Sequence, residues 1–210
     1  MLEAIITAWH ATSTLEIVSV LFGLAYVILA ARENVWCWPA AFIGTGTAIW
    51  LFWDASLLME SALNVYYLFM ALFGWWQWQK GGTKDERNAS SGLKITSWSL
   101  KQHLITGAVI MAMTFGSGHL LENLTGAKLP YLDSFTTWSA VITTWMVTRK
   151  ILENWLYWVV IDAVSIYLFF DRGLYLYGLL FIAYTVIAIF GYLNWRQRLA
   201  SSHDVHANAS

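Results

Sequence analysis

The sequence predicts an all-α integral membrane protein. It would have seven transmembrane helices, arranged as two parallel three-helix repeats joined by a central helix (3+1+3). Three observations carry this: too little charge for a soluble chain, seven apolar stretches of spanning length, and basic residues gathered on alternate loops. Charged residues make up 12% of the 210, against roughly 25% in soluble domains. The chain is 58% hydrophobic and holds 14 tryptophans, rings that collect where membrane meets water. A net charge of -1 argues against nucleic acid or another polyanion as partner. The lone Cys37 excludes an intramolecular disulfide. No basic region precedes the first apolar run. No cleavable signal peptide is expected, and the first helix itself would direct insertion.

A spanning helix needs about 20 mostly apolar residues. The stretches that qualify are roughly 14–31, 36–53, 56–79, 102–121, 132–148, 155–170 and 174–195. The polar run from Lys80 to Lys101 reads as an exposed loop. The tail from Arg196 onward reads as frayed or disordered. The units are therefore 1–79, a loop and linking helix over 80–122, a second unit over 123–195, and a tail over 196–210. With seven spans, ten of the twelve Lys and Arg residues fall on the side opposite the N-terminus; only Lys128 and Arg172 share its side. Basic loops face the cytoplasm, which predicts an outside N-terminus and a cytoplasmic C-terminus.

An internal repeat supports the two units. Glu33-Asn34-Val35-Trp36-Cys37-Trp38 resembles Glu153-Asn154-Trp155-Leu156-Tyr157-Trp158 at an offset of 120. Asp54, Leu57, Tyr67, Phe73-Gly74 and Trp78 match Asp171, Leu174, Tyr184, Phe190-Gly191 and Trp195 at 117. Three spans end on the side opposite their start, so one linking span lets both units insert in the same sense. Parallel repeats of this kind place a transporter's site at the repeat interface near the midplane.

Polar groups inside spans are expensive and face the protein interior or a wet cavity. The third span aligns Glu60, Asn64, Tyr67, Ala71, Gly74 and Trp78 on one helical face. The corresponding face of the seventh carries Tyr177, Phe181, Tyr184, Ala188, Gly191 and Trp195. The glycines read as packing residues that let helices approach closely. In the sixth span Trp155, Trp158, Asp162 and Ser165 share a face. Two tryptophans a turn apart with a carboxylate one turn deeper suit a flat cationic ring; an interfacial tryptophan belt is the other reading of Trp155. Under these offsets Asp162 corresponds to Phe42 and Glu60 to Tyr177, so neither carboxylate is repeated. That suits an asymmetric ligand better than a symmetric scaffold. The candidate binding residues are Glu60, Asn64, Tyr67, Trp155, Trp158, Asp162 and Tyr184, gathered around helices 3, 6 and 7. No phosphate loop, GxSxG or HExxH motif is present. His103, His119, His203 and His206 make no metal spacing. No catalytic residue, metal or cofactor is expected, although motif absence does not by itself dispose of an intramembrane enzyme.

The run Trp38-Pro39, then Leu57-Leu58-Met59-Glu60-Ser61-Ala62-Leu63-Asn64-Val65-Tyr66-Tyr67, then Phe73-Gly74-Trp75-Trp76-Gln77-Trp78 resembles the first repeat of the PnuC family of vitamin transporters. Thr148-Arg149-Lys150, Glu153-Asn154-Trp155, Trp158, Gly191-Tyr192 and Trp195 resemble the second. The resemblance implies a seven-helix 3+1+3 fold, homotrimers in the lipid bilayer of the bacterial inner membrane, and uptake of nicotinamide riboside. It implies facilitated diffusion, with trapping by a cytoplasmic kinase. It also implies that Trp155 and Trp158 bind the aromatic ring and that Glu60 and Asn64 form the polar face of helix 3. Riboside carriers often have Gln at the position of Asn64 and an amide at that of Ala71; losing an amide removes hydrogen bonds a ribose would use. Thiamin, also flat and cationic, is the second candidate, and related branches carry riboflavin or deoxynucleosides.

Overall fold

The computed structural model describes residues 13–54, 58–80, 93–124, 128–173 and 175–207. Seven helices occur among them: α1 (Thr14–Ala31), α2 (Cys37–Asp54), α3 (Leu58–Lys80), α4 (Leu100–Leu124), α5 (Pro130–Thr148), α6 (Asn154–Asp171) and α7 (Tyr175–Ala207). Helices α1, α2 and α6 have 18 residues each. That is roughly 27 Å at 1.5 Å per residue, close to the bilayer's hydrocarbon core. Thr14–Ala31, Leu100–Leu124 and Tyr177–Ser201 are apolar enough to cross by length and composition alone. The others carry polar groups turned inward. Ser139, Thr143, Thr148, Asn154 and Asp162 are buried, while Phe69, Leu72, Val160 and Tyr167 are exposed. An apolar outside around a polar inside is what a lipid solvent demands.

Helix ends follow from local chemistry. Ser13 caps α1: its Oγ accepts from Glu16 N at 3.2 Å, and the Glu16 side chain accepts from Ser13 N. Pro130 opens α5, where its missing N–H costs nothing. Three helices stop alike, at Arg32, Arg149 and Arg172, each followed by a left-handed residue: Glu33 (φ 60°), Lys150 (φ 51°) and Gly173 (φ 74°). Glycine enters that region freely; Glu and Lys do so under strain.

Six helices close a ring in chain order. α1 packs on α2, α2 on α3, α3 on α5, α5 on α6, α6 on α7, and α7 back on α1. α4 stands outside this ring, packed on α5. Contacts across the ring are reciprocal. Trp78 Nε1 donates to Val147 O at 3.1 Å, and Trp195 Nε1 donates to Ala30 O at 3.0 Å. Trp38 lies edge-on to Trp78 at 5.4 Å and 88°; Trp155 lies edge-on to Trp195 at 5.4 Å and 87°. A Cβ on Gly74 would sit 2.3 Å from the Trp38 ring, and one on Gly191 2.7 Å from Trp155. These glycines let two indoles lie against α3 and α7. Each residue and its counterpart are 117 positions apart.

That single spacing corrects the 120 offset expected at the start of α2 and α6. Trp38 is the counterpart of Trp155, not Trp158, and Asp162 is the counterpart of Thr45, not Phe42. The counterpart of Glu33 is Lys150. Glu153 has a different job: it precedes α6 and accepts from Trp98 N at 3.1 Å and from Ser97 Oγ. Part of the expected exposed loop is also engaged. Thr96 N donates to Lys150 O at 3.0 Å and Leu152 N to Thr96 O at 2.8 Å, so residues 93–99 strap the α5–α6 corner. The tail differs as well: α7 continues as helix to Ala207. Its 33 residues reach about 50 Å at 1.5 Å per residue, beyond the hydrocarbon thickness, so the polar last turns project into water.

Candidate functional site

Where i and i+117 touch each other, they must lie on the axis relating the two halves. Two pairs among the described residues do so. Trp78 meets Trp195 with ring centroids 5.9 Å apart. Lys150 Nζ meets Glu33 Oε1 at 2.6 Å and sits 4.6 Å over the Trp78 ring. Arg198, on the projecting part of α7, adds a bond to Glu33 Oε2 at 3.1 Å. The indoles Trp38, Trp78, Trp195 and Trp155 thus form a layer across the ring at the end where α1, α3, α5 and α7 approach one face, with the ion pair beyond it.

Inside this layer lies a cavity of about 310 Å³ lined by all six ring helices. Six of the seven residues named from the sequence line it: Asn64 and Tyr67 on α3, Trp155, Trp158 and Asp162 on α6, and Tyr184 on α7. The side chain of the seventh, Glu60, lies outside the described residues. Trp155 is 2% exposed and its ring is held by Gly191 and Trp195, so it belongs to the floor layer rather than to a surface belt. Trp158, one turn further along α6, is half-buried. Asp162 is 3% exposed and sits mid-helix. Its carboxylate has no hydrogen-bond or ion-pair partner among the described residues. A buried, unpaired carboxylate on a cavity wall is costly unless something cationic or hydrogen-bonding answers it.

The counterparts show the asymmetry at atomic scale. Trp158 and Asp162 answer to Ala41 and Thr45, and all four line the cavity. The Thr45 hydroxyl is already committed to Ala41 O at 2.8 Å. Among the described lining residues there is no Lys, Arg or His. No cluster among the described residues could hold a metal ion. His103 Nδ1 lies 3.0 Å from Tyr157 Oη, and His119 lies against Asn123. The side chains of His203 and His206 lie outside the described residues.

Sequence reasoning missed what α1, α2 and α5 contribute. Ser19, Gly23, Tyr26, Trp38 and Thr144 line the cavity. Only Tyr26 could have been flagged, as a lone phenol mid-span in α1. Ser19 Oγ donates to Gly44 O at 3.2 Å, tying α1 to α2 at the wall.

A sequence model of the family described as "Nicotinamide mononucleotide transporter" matches residues 13–197. A nicotinamide riboside transporter of Escherichia coli is 25% identical over 203 residues, covering 87% of this chain and 85% of its own length. The riboflavin/roseoflavin transporter RibM of Streptomyces davaonensis is 22% identical over 184 residues, covering 86% and 83%. The crystal structure of a vitamin B3 transporter, PnuC, superposes with a TM-score of 0.70 at 21% identity, covering 93% of this chain and 86% of that one. At that identity the likeness speaks for the fold.

Proposed function

This chain belongs to the nicotinamide mononucleotide transporter family, and on that premise we propose that it takes up nicotinamide riboside across the bacterial inner membrane. It is a membrane transporter and not an enzyme. The observation that carries the choice of cargo is the unpartnered Asp162 carboxylate in a cavity with no cation among its described lining residues. Nicotinamide riboside has a flat pyridinium ring. Asp162 supplies its counter-charge, Trp158 and Trp155 its aromatic walls, and Asn64, Tyr67 and Tyr184 polar contacts; Glu60 is proposed with them. A mononucleotide adds a phosphate of about -1.5 to -2 charge, which this lining would oppose. On that ground the riboside is proposed over the mononucleotide. Thiamin fits the same cationic argument and is favoured by Ala71, which leaves α3 one amide short for a ribose.

Transport is by facilitated diffusion through a homotrimer, with a cytoplasmic kinase trapping the product. The basic ends at Arg32, Arg149 and Arg198 face the cytoplasm, with the C-terminus inside. A C-terminal reporter active only in the cytoplasm tests that orientation: no signal would reverse it. For the cargo, detergent-purified protein is titrated with nicotinamide riboside, thiamin, riboflavin and nicotinamide mononucleotide, following tryptophan fluorescence. Saturable quenching by the riboside and none by the mononucleotide is expected. Quenching by thiamin or riboflavin alone moves the cargo while keeping the site. Tighter binding of the mononucleotide than of the riboside overturns the electrostatic reading.

A further inference from the structure

We propose that Gly23 is a specificity-determining residue, setting how wide a ring system the cavity admits by giving the Tyr184 hydroxyl a groove in α1. The proposal rests on reading the cavity as the ligand site. Gly23 lies mid-helix in α1 and lines the cavity, as does Tyr184 on the neighbouring α7. A Cβ at position 23 would lie 2.9 Å from Tyr184 Oη, with no other such contact within 4 Å among the described residues. The phenol tip therefore occupies the space a methyl would need.

A glycine in a membrane helix is more commonly there for helix approach, and α1 and α2 do cross closely here. That crossing is served by Gly44, whose absent Cβ would meet Gly23 N and Phe22 Cβ at 3.4 Å. The missing methyl of Gly23 points elsewhere, at Tyr184 alone. The second half of the ring has no such groove: the counterpart of Gly23 is Ala140, which carries the Cβ, while the counterpart of Tyr184 is Tyr67. Only one of the two related tyrosines is thus given room to withdraw into α1. A methyl at position 23 drives the Tyr184 tip out of the groove and into the cavity. The lost space falls on the ring-binding region, so broad fused rings suffer more than a single ring.

The test is a double-mutant cycle read by ligand titration, with nicotinamide riboside as the single-ring probe and riboflavin as the fused-ring probe. One methyl's worth of misfit in a pocket costs about 10–200-fold. Gly23→Ala is expected to weaken riboflavin by about tenfold, at the low end of that range, and nicotinamide riboside by less, so that the riboflavin-to-riboside affinity ratio falls. In a Tyr184→Phe background, where the clashing oxygen is gone, the same substitution should cost less than about twofold. Equal losses in both backgrounds overturn the proposal. If Gly23→Ala does not fold, Tyr184→Phe alone decides: its ring can settle onto Gly23, so the riboflavin-to-riboside affinity ratio should rise, and an unchanged ratio overturns the proposal. Wild-type protein that binds neither probe would instead overturn the reading of the cavity.

Discussion

The half of the ring made by α1–α3 and the half made by α5–α7 share a scaffold and differ in chemistry. Each half has an indole lying on a glycine, a second indole edge-on to it, and a bond from that second indole to a carbonyl of the other half. These features answer to packing, which the ring geometry demands twice. Facing the cavity, Trp38 and Tyr67 are repeated as Trp155 and Tyr184, but Trp158 and Asp162 in one half stand where Ala41 and Thr45 stand in the other. A symmetric cage around an asymmetric ligand has to break its symmetry in the lining while keeping it in the walls.

The comparison breaks most visibly at Asp162. Asp162→Asn should weaken binding of the cationic riboside several hundredfold, about 3–4 kcal/mol, as expected for truncating a buried charge partner. Thr45→Ala, at the counterpart position, should cost less than about threefold, a loss under 1 kcal/mol, because its hydroxyl is spent within α2. Comparable losses measured by calorimetry would mean that the halves share the ligand equally. Next comes the axial pair. Lys150→Met leaves Glu33 with Arg198 alone and should lower stability by about 3 kcal/mol, the low end for breaking a buried pair. Exchanging the charges, Glu33→Lys with Lys150→Glu, should recover part of that, since both backbones are left-handed, but not all, since Arg198 then meets a like charge. Thermal unfolding in detergent reads both; no recovery would show the two positions to be inequivalent.

The scaffold should respond evenly. Gly74→Ala and Gly191→Ala each overpack an indole, for about 2 kcal/mol, with the larger loss at Gly74 where the approach is tighter. Smallest are Trp78→Phe and Trp195→Phe, each removing one indole hydrogen bond from a carbonyl that keeps a backbone N–H, Lys150 N on Val147 O and Glu33 N on Ala30 O, for about 1 kcal/mol. A marked difference within either pair would show that one half bears the packing.

Much of this was legible in the sequence, because a spanning helix announces itself by composition. The first span coincides with α1, and the second is displaced from α2 by one residue. Polar residues at helical spacing inside apolar spans found six of the cavity's lining residues for the same reason: lipid forbids them anywhere but inside. What failed was subtler. The Glu-Asn match at 120 was stronger by identity than the true spacing, while the left-handed turn shared by Glu33 and Lys150 leaves no mark on residues so unlike. The polarity of the tail suggests a frayed or disordered segment, although Arg196, Gln197, Arg198, Leu199 and Ala200 are good helix formers; polarity says where a segment sits, not what shape it takes. Gly23 is silent in the sequence because a glycine in an apolar helix signals nothing until a neighbouring helix is set beside it.

The salt bridge between Glu33 and Lys150 has one more implication. In a two-fold dimer of identical chains, a residue on the axis faces its own copy, so an acid would meet an acid and a base a base. Opposite charges can meet there only when both halves are encoded separately in one polypeptide. The bond beneath the floor of this cavity is thus chemistry that self-association could never supply, and it is available only to two units free to differ in sequence.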